Sequence, residues 1–430
     1  MLSYVGKAAT MGAGQAVYVA CQWGILIALA RLGGPEMVGR FALALAISAP
    51  VMLLCNLALR SALVTDVRGE HPLGRYLALR VATSAIGVVV VAASALAFGF
   101  ARDTALLIMV VALAKGFENL SDILHGIAQR RERFDLIARS MSARGVLGLL
   151  GMAAGIWLTG QVIYGALALA LAWALVLVVH DWPMTAAWRR ASARAGSPRA
   201  WLGLAWSVLP LGVAVLLISL NGNLPRYVIA DWFGEAELGV FAAMAYLVVA
   251  GGMLINVLGQ VASPRLACAA ARRDRRAFLK LLAAISSPAL GLGLIGVLSA
   301  AIYHREIMTT LYGHQFTAHS EWLVWMMVAG LIGFVTSGFG FAATALRTFR
   351  TIALIHSATC AFNLIACLTL APLYGTLGVI FAWAASMALN LVLALAIIVV
   401  GIARISPAGA GGVSAPTSGP FAFLWGRSPL

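Results

Sequence analysis

The sequence predicts an all-α polytopic membrane protein of about 12 transmembrane helices, in two pseudo-symmetric six-helix lobes around a central cavity. Three observations lead there. The 430-residue chain is 62% hydrophobic and only 10% charged, with a mean hydropathy of +0.95. A soluble domain carries about 25% charged residues, so lipid must be the solvent for much of this surface. The apolar stretches have transmembrane length, about 20 residues each. Finally, one phrase is written twice: YGALALALAWA from Tyr164 returns 210 residues later as YGTLGVIFAWA from Tyr374.

Twelve apolar stretches follow one another at roughly 11–32, 37–59, 77–100, 104–127, 137–159, 161–182, 203–225, 237–262, 278–302, 321–344, 351–371 and 376–402. Barrel strands would be about 10 residues long and alternating. These runs are longer and uniformly apolar, and only helices then satisfy the backbone in lipid. The expected organisation is an N-lobe at 1–182, a cytoplasmic linker at 183–200, a C-lobe at 201–403 and a disordered cytoplasmic tail at 404–430, rich in Pro, Gly, Ser and Ala.

Lys and Arg set the orientation. Twenty-four of the 30 fall before span 1 (Lys7), at the even-to-odd links, or in the tail. Those links hold Arg60, Arg68, Arg75 and Arg80; then Arg130, Arg131, Arg133, Arg139 and Arg144; then Arg189, Arg190, Arg194 and Arg199; then Arg265, the run RRDRR at 272–276 and Lys280; then Arg347 and Arg350. By the positive-inside rule both termini are cytoplasmic. The net charge of +15 is thereby a topology signal, and nucleic acid is not an expected partner.

Two further matches support an internal repeat. Gly34, Gly39, Phe41, Leu54 and Asn56 return 200 residues later as Gly234, Gly239, Phe241, Leu254 and Asn256. Ala128, Phe134, Ile137 and Ser142 return 215 residues later as Ala343, Phe349, Ile352 and Ser357. Six spans per copy is even, so the copies are parallel repeats about an axis along the membrane normal. Two such bundles, rocking against each other, make an alternating-access transporter.

Polar residues inside spans point to function. Span 1 carries Gln15 and Gln22 on one face. Span 2 ends with Asn56 and Arg60, whose repeat partners in span 8 are Asn256 and Gln260, a stripe that is cationic in one half only. Span 4 holds Lys115, Glu118, Asp122, His125 and Gln129 within an arc of about 80°, bordered by Asn119. That face is either a wall for polar substrate and a proton or Na⁺ site, or an internal salt bridge of Lys115 with Glu118 or Asp122. Span 7 ends in ISLNGNLPRY, where Asn221, Asn223 and Arg226 surround a Gly and Pro225. This is a broken helix end for binding, or the end of the span.

Other motifs carry no chemistry. GLGLIG at 291–296 lies inside span 9, without the strand–turn–helix a dinucleotide fingerprint needs. No nucleotide-binding, zinc-protease or serine-hydrolase motif is present. The five cysteines form no C-x-x-C and read as apolar fillers. His304, His314 and His319 lack metal-site spacing. No metal or cofactor is expected, and Lys7 before span 1 brings no convincing cleavage site.

GPEMVGRFALALAISAPVMLLCNLALRSALVTD (34–66) resembles the second-span signature of bacterial polysaccharide and O-antigen repeat-unit flippases. ALAKGFENLSDILHGIAQRRERFDLIA (112–138) is similar to their fourth-span region. The family lies in the multidrug/oligosaccharidyl-lipid/polysaccharide exporter superfamily. The resemblance runs to about residue 403 and implies that spans 1, 2, 7 and 8 line the cavity. It places Gln22, Asn56, Arg60, Asn221, Arg226, Asn256 and Gln260 near that cavity; Lys115, from the polar face of span 4, is a further candidate substrate contact. It implies an oligosaccharide on undecaprenyl pyrophosphate as substrate. Arg suits the pyrophosphate, and Asn and Gln suit the sugars.

The expectation is therefore a non-enzymatic flippase of the bacterial inner membrane serving surface polysaccharide or lipopolysaccharide synthesis, with Glu118 and Asp122 coupling H⁺ or Na⁺. Its expected partners are the lipid-linked oligosaccharide, membrane lipids, and a polysaccharide polymerase or glycosyltransferase. The alternatives are a drug/cation antiporter of the same superfamily and, more remotely, a membrane glycosyltransferase or polymerase.

Overall fold

The computed structural model describes residues 2–66, 70–191, 197–346 and 348–404. Arg68, Arg194, Arg347 and residues 405–430, most of the expected tail, lie outside the described residues. The first lobe comprises α1 (Leu2–Asn56), α2 (Leu59–Thr65), α3 (Leu73–Ala97), α4 (Arg102–Arg130), α5 (Phe134–Thr159) and α6 (Val162–Val176). A π-helical turn (Leu177–Asp181) leads into the short α7 (Trp182–Met184) and α8 (Ala186–Ala191). The second lobe comprises α9 (Pro198–Trp232), α10 (Gly234–Ala271), α11 (Arg275–Leu311), α12 (Trp322–Ala345) and α13 (Phe349–Arg404). No strand occurs among the described residues.

Ten helical runs among the described residues are long and apolar enough to cross a membrane. The twelve expected spans are present because two of these runs each hold two. α1 turns at Gly34 (φ 74°) and α13 at Gly375 (φ 63°). Positive φ suits glycine, and Pro35 after Gly34 further disfavours the α conformation there.

Span 7 departs from its expected end. α9 runs through Pro225 to Trp232, so no broken helix end exists at Asn221–Arg226. A proline removes the N–H that would bond the carbonyl four residues earlier, and lipid cannot replace it. Here Asn363 replaces it, its Nδ2 donating to the Asn221 carbonyl at 3.0 Å and to Asn221 Oδ1 at 2.9 Å. Pro50 in α1 frees the Ala46 carbonyl in the same way, and the Tyr227 hydroxyl donates to it from the other lobe.

The lobes meet where α1 crosses α10. A Cβ on Gly39 would strike the Glu235 carbonyl, and one on Gly239 would strike the Pro35 carbonyl. The 200-residue offset exchanges these two contacts, so the pseudo-twofold axis passes between the two glycines. Around the crossing, Arg40 Nε bonds Glu235 Oε2 at 2.7 Å and Thr104 Oγ1 donates to Glu235 Oε1 at 3.2 Å. Arg31 caps the C-terminal carbonyls of α11, at 3.1 Å to Thr309 and 3.2 Å to Leu311, where the helix dipole favours a cation. Trp23 Nε1 donates to Tyr312 Oη at 3.2 Å, which donates to the Ala243 carbonyl at 3.0 Å. All of this lies at the end opposite the arginine-rich links. At the arginine-rich end, Leu204 of α9 joins Leu57, Leu59 and Leu63 in a buried cluster, while α10 exposes Leu254, Val257 and Val261.

The repeated phrase marks a packing position. Gly155 and Gly165 let α5 and α6 cross at backbone contact. Gly378 lets the second half of α13 pass the Leu370 carbonyl. The two copies differ at the turn, since Gly165 is helical while Gly375 carries the bend.

Candidate functional site

The stripe on α4 is present, and the structure divides it into three groups. In the first, Lys115 Nζ pairs with Glu118 Oε2 at 2.8 Å, and Tyr18 Oη donates to Glu118 Oε1 at 2.7 Å. Lys115 and Arg144 lie 5.6 and 5.8 Å from the ring centroid of Trp173, and Arg144 lies 5.4 Å from that of Tyr18. An indole ring within reach of two cations offsets part of their desolvation.

Asp122 centres the second group. Arg60 Nη1 meets Oδ1 at 3.2 Å and Arg80 Nη2 meets Oδ2 at 3.2 Å. Asn56 Nδ2 donates to Asn119 Oδ1 at 3.0 Å and lies 3.4 Å from Asp122 Oδ2. Arg60 also gives Nε and Nη2 to Gln129 Oε1 at 3.0 and 2.8 Å. The backbone makes this convergence possible. α1 ends at Asn56, then Leu57 and Ala58 take left-handed conformations (φ 51° and 48°) before α2 begins. Asn56 and Arg60 thus reach the same carboxylate from two helices, not from one helical stripe.

In the third group, His125 Nε2 lies 2.8 Å from Ser140 Oγ and 3.7 Å from Asp181 Oδ1, which is 3.0 Å from His180 Nδ1. Asp181 is fully buried. It sits in the π-helical turn, where the extra residue per turn alters which side chains face inward.

Arg80, Arg144 and Asp181 contribute more than their sequence positions suggest. The two arginines read as link charges that set topology. In the structure their exposures are 0% and 4%, because α3 and α5 carry them inward beside acids and aromatic rings. Both keep Nε and Nη1 without a hydrogen-bond partner among the described residues. Each lies inside the apolar stretch drawn for its span, as Asp181 does, and that was the available signal.

The remaining site residues do not join these groups. Arg226 donates from Nη1 to Asn223 Oδ1 at 2.9 Å and enters no ion pair among the described residues. Gln22 keeps Nε2 buried and without a hydrogen-bond partner among the described residues. Asn256 and Gln260 are exposed on α10, which runs straight on to Ala271 instead of breaking as α1 does after Asn56. The structure therefore does not pair Asn256 with Asn56 in surroundings. His304 bonds Ser320 Oγ at 2.9 Å and His319 stacks on Trp322, so neither histidine points at a shared centre.

Comparison with known proteins adds the following. A family model described as polysaccharide biosynthesis protein matches residues 28–321. The capsular polysaccharide biosynthesis protein CapF of Staphylococcus aureus is 26% identical over 329 residues, covering 76% of this chain and 82% of the relative. Among solved structures, the lipid II flippase MurJ in an inward closed conformation superposes with a TM-score of 0.74 at 12% identity, covering 92% of this chain and 89% of that one. An inward-facing multidrug resistance MATE family transporter of the MOP superfamily gives 0.64 at 15% identity, covering 91% and 94%. At such identities these two structures share a fold with this chain, and the fold is that of two-lobed membrane transporters.

Proposed function

The chain belongs to the polysaccharide biosynthesis protein family, and from that premise we propose that it is a flippase. It moves undecaprenyl-pyrophosphate-linked oligosaccharide repeat units from the cytoplasmic to the periplasmic leaflet of the inner membrane, by alternating access and without covalent catalysis. Both termini are cytoplasmic in this reading, and the lobes are 1–182 and 201–403, joined by the linker at 183–200. A polysaccharide polymerase or glycosyltransferase acts beside it. The name of the staphylococcal relative favours capsule over O-antigen.

The observation that carries this reading is a charge excess inside the bundle. Arg60 and Arg80 share Asp122, Lys115 pairs with Glu118, Asp181 is held by His125 and His180, and Arg144 and Arg226 enter no ion pair among the described residues. Charge within a membrane needs a counter-charge. A pyrophosphate supplies it, and guanidinium forks suit its oxygens. The lipid tail stays in the bilayer while the head group crosses. For release to the periplasm, the Gly39–Gly239 crossing and the Arg40–Glu235 pair must part. Glu118 and Asp122 are the proposed coupling sites for H⁺ or Na⁺, since protonating either would release a cation it now holds. A drug/cation antiporter would need a carboxylate free to take its cargo, and Glu118, Asp122 and Asp181 each already have a protein partner.

The test is mass spectrometry of undecaprenyl-linked lipids in a deletion strain, with surface polysaccharide assayed in parallel. Completed repeat units accumulate, polysaccharide falls, and a plasmid copy reverses both. Unchanged lipids together with new sensitivity to cationic drugs would overturn the flippase reading in favour of the antiporter.

A further inference from the structure

The charged face of span 4 has no charged counterpart in the C-lobe. By the 215-residue offset of spans 4 and 10, the places of Lys115, Glu118, Asp122 and His125 are taken in the C-lobe by Gly330, Gly333, Ser337 and Gly340. The place of Arg144 is taken by Thr359. By the 210-residue offset Trp173 answers to Trp383. The large side chains of one helix face are gone while the aromatic ring beside them is kept. A cavity of about 310 Å³ occupies that position, between α9, α12 and both halves of α13. This lies within the range of small-molecule sites, about 300–1,000 Å³.

The walls say what would fit. Asn221, Thr336, Ser337, His356, Trp383 and Asn390 line the cavity, and among the described residues no Asp, Glu, Lys or Arg does. A cation would find no carboxylate there, and a phosphate would find no cation. Trp383 keeps a buried Nε1 donor without a partner among the described residues. Thr336 and Ser337 donate their hydroxyl protons to the carbonyls of Ile332 and Gly333, at 2.7 and 3.1 Å. Their oxygens therefore remain as acceptors. Donors, acceptors and one flat aromatic face, all without charge, match a neutral pyranose ring. Its C–H face covers the indole and its hydroxyls meet the amide, imidazole and hydroxyl groups.

We propose that this C-lobe cavity is a subsite for a neutral sugar ring of the transported oligosaccharide, separate from the N-lobe cations that face the phosphates. The proposal rests on the flippase reading above. Under it the two lobes divide the cargo by chemistry, one taking charge and the other taking hydroxyls.

The experiment fills the cavity. A Cβ on Gly222 or Gly340 meets nothing within 4 Å, and replacing a helical glycine raises helix propensity. Gly340→Leu and Gly222→Leu therefore occlude the space without a clash at Cβ. Full-length protein in nanodiscs is titrated with two probes: the lipid-linked oligosaccharide extracted from the deletion strain, and undecaprenyl pyrophosphate without sugar. Wild type should bind the sugar-bearing lipid about tenfold more tightly than the bare one, a difference of one decade in Kd. Both variants should bring that ratio towards one and leave the bare lipid's Kd unchanged. If both lipids bind and the ratio is the same in wild type and in well-folded variants, the subsite is overturned and the flippase reading survives. If wild type binds neither lipid, the flippase reading falls and takes the subsite with it.

Discussion

The two lobes share a skeleton and differ in what fills it. Gly39 and Gly239 meet on the pseudo-twofold axis. Trp173 and Trp383 each descend from a copy of the same phrase. Yet the N-lobe interior is packed with cations and carboxylates, and the corresponding C-lobe face is glycine and serine around a cavity. The difference teaches which constraints a repeat keeps. Close helix crossings admit only small residues and leave little freedom. Interior polar groups are constrained by their partners instead, so a whole set can be exchanged together.

The largest expected effect tests the charged face. Asp122→Ala leaves Arg60 and the fully buried Arg80 without their shared acid. Breaking a buried pair by removing one partner costs about 3–5 kcal/mol. Folded protein in the membrane should fall several-fold, and polysaccharide output with it. The C-lobe counterpart, Ser337→Ala, removes only a hydroxyl bonded to its own helix. Its melting temperature in detergent should stay near wild type. Equal losses from the two substitutions would break the contrast between the lobes. Adding Arg80→Met to Asp122→Ala should recover part of the folded protein, because the orphaned charge goes with it.

Next comes the feature the lobes share. Gly39→Leu and Gly239→Leu insert a side chain against a carbonyl on opposite sides of one axis. Overpacking of this kind costs about 1–3 kcal/mol, and here it falls only on the state in which the crossing is closed. Thr104, 4% exposed beside Glu235, reports the opening. A Thr104→Cys reporter should label faster from outside in both variants, by about five- to 150-fold. A strong effect from one glycine alone would show that the crossing is not symmetric.

Much of this was legible in the sequence because it rests on one-dimensional pattern. Span lengths, the arginine-rich links and the repeat each follow from counting, and the α4 stripe follows from helical period. The limits of legibility were geometric. Nothing in the text around Asn56 announces the left-handed turn at Leu57 and Ala58, which aims Arg60 back at Asp122 from a second helix. Arg80 and Arg144 carry the charge that positive-inside counting assigns to a link, so the count absorbed them. Pro225 reads as a helix end because proline usually is one. Here the partner that repairs the helix, Asn363, lies 138 positions further along the chain.

That repair gives the smallest predicted effect, and it can be measured in both lobes at once. Asn363 mends the gap left by Pro225 within the C-lobe, and Tyr227 mends the gap left by Pro50 across the lobe interface. Hydrogen bonds between membrane helices are worth about 0.6 kcal/mol each on average. Asn363→Ala removes two bonds between helices, to the Asn221 carbonyl and to its side chain, besides a weak Cys367 Sγ contact within its own helix, and Tyr227→Phe removes one. In detergent both variants should melt slightly below wild type, Asn363→Ala by more. The distinguishing readout is transport. The Tyr227 bond spans the two lobes, so rocking has to strain or break it, and its loss favours the open state. The Asn363 bonds lie inside one lobe and move with it. Tyr227→Phe should therefore raise labelling at Thr104→Cys, while Asn363→Ala lowers stability and leaves labelling unchanged. If Asn363→Ala shifted labelling as strongly, the C-lobe could not be moving as a rigid body.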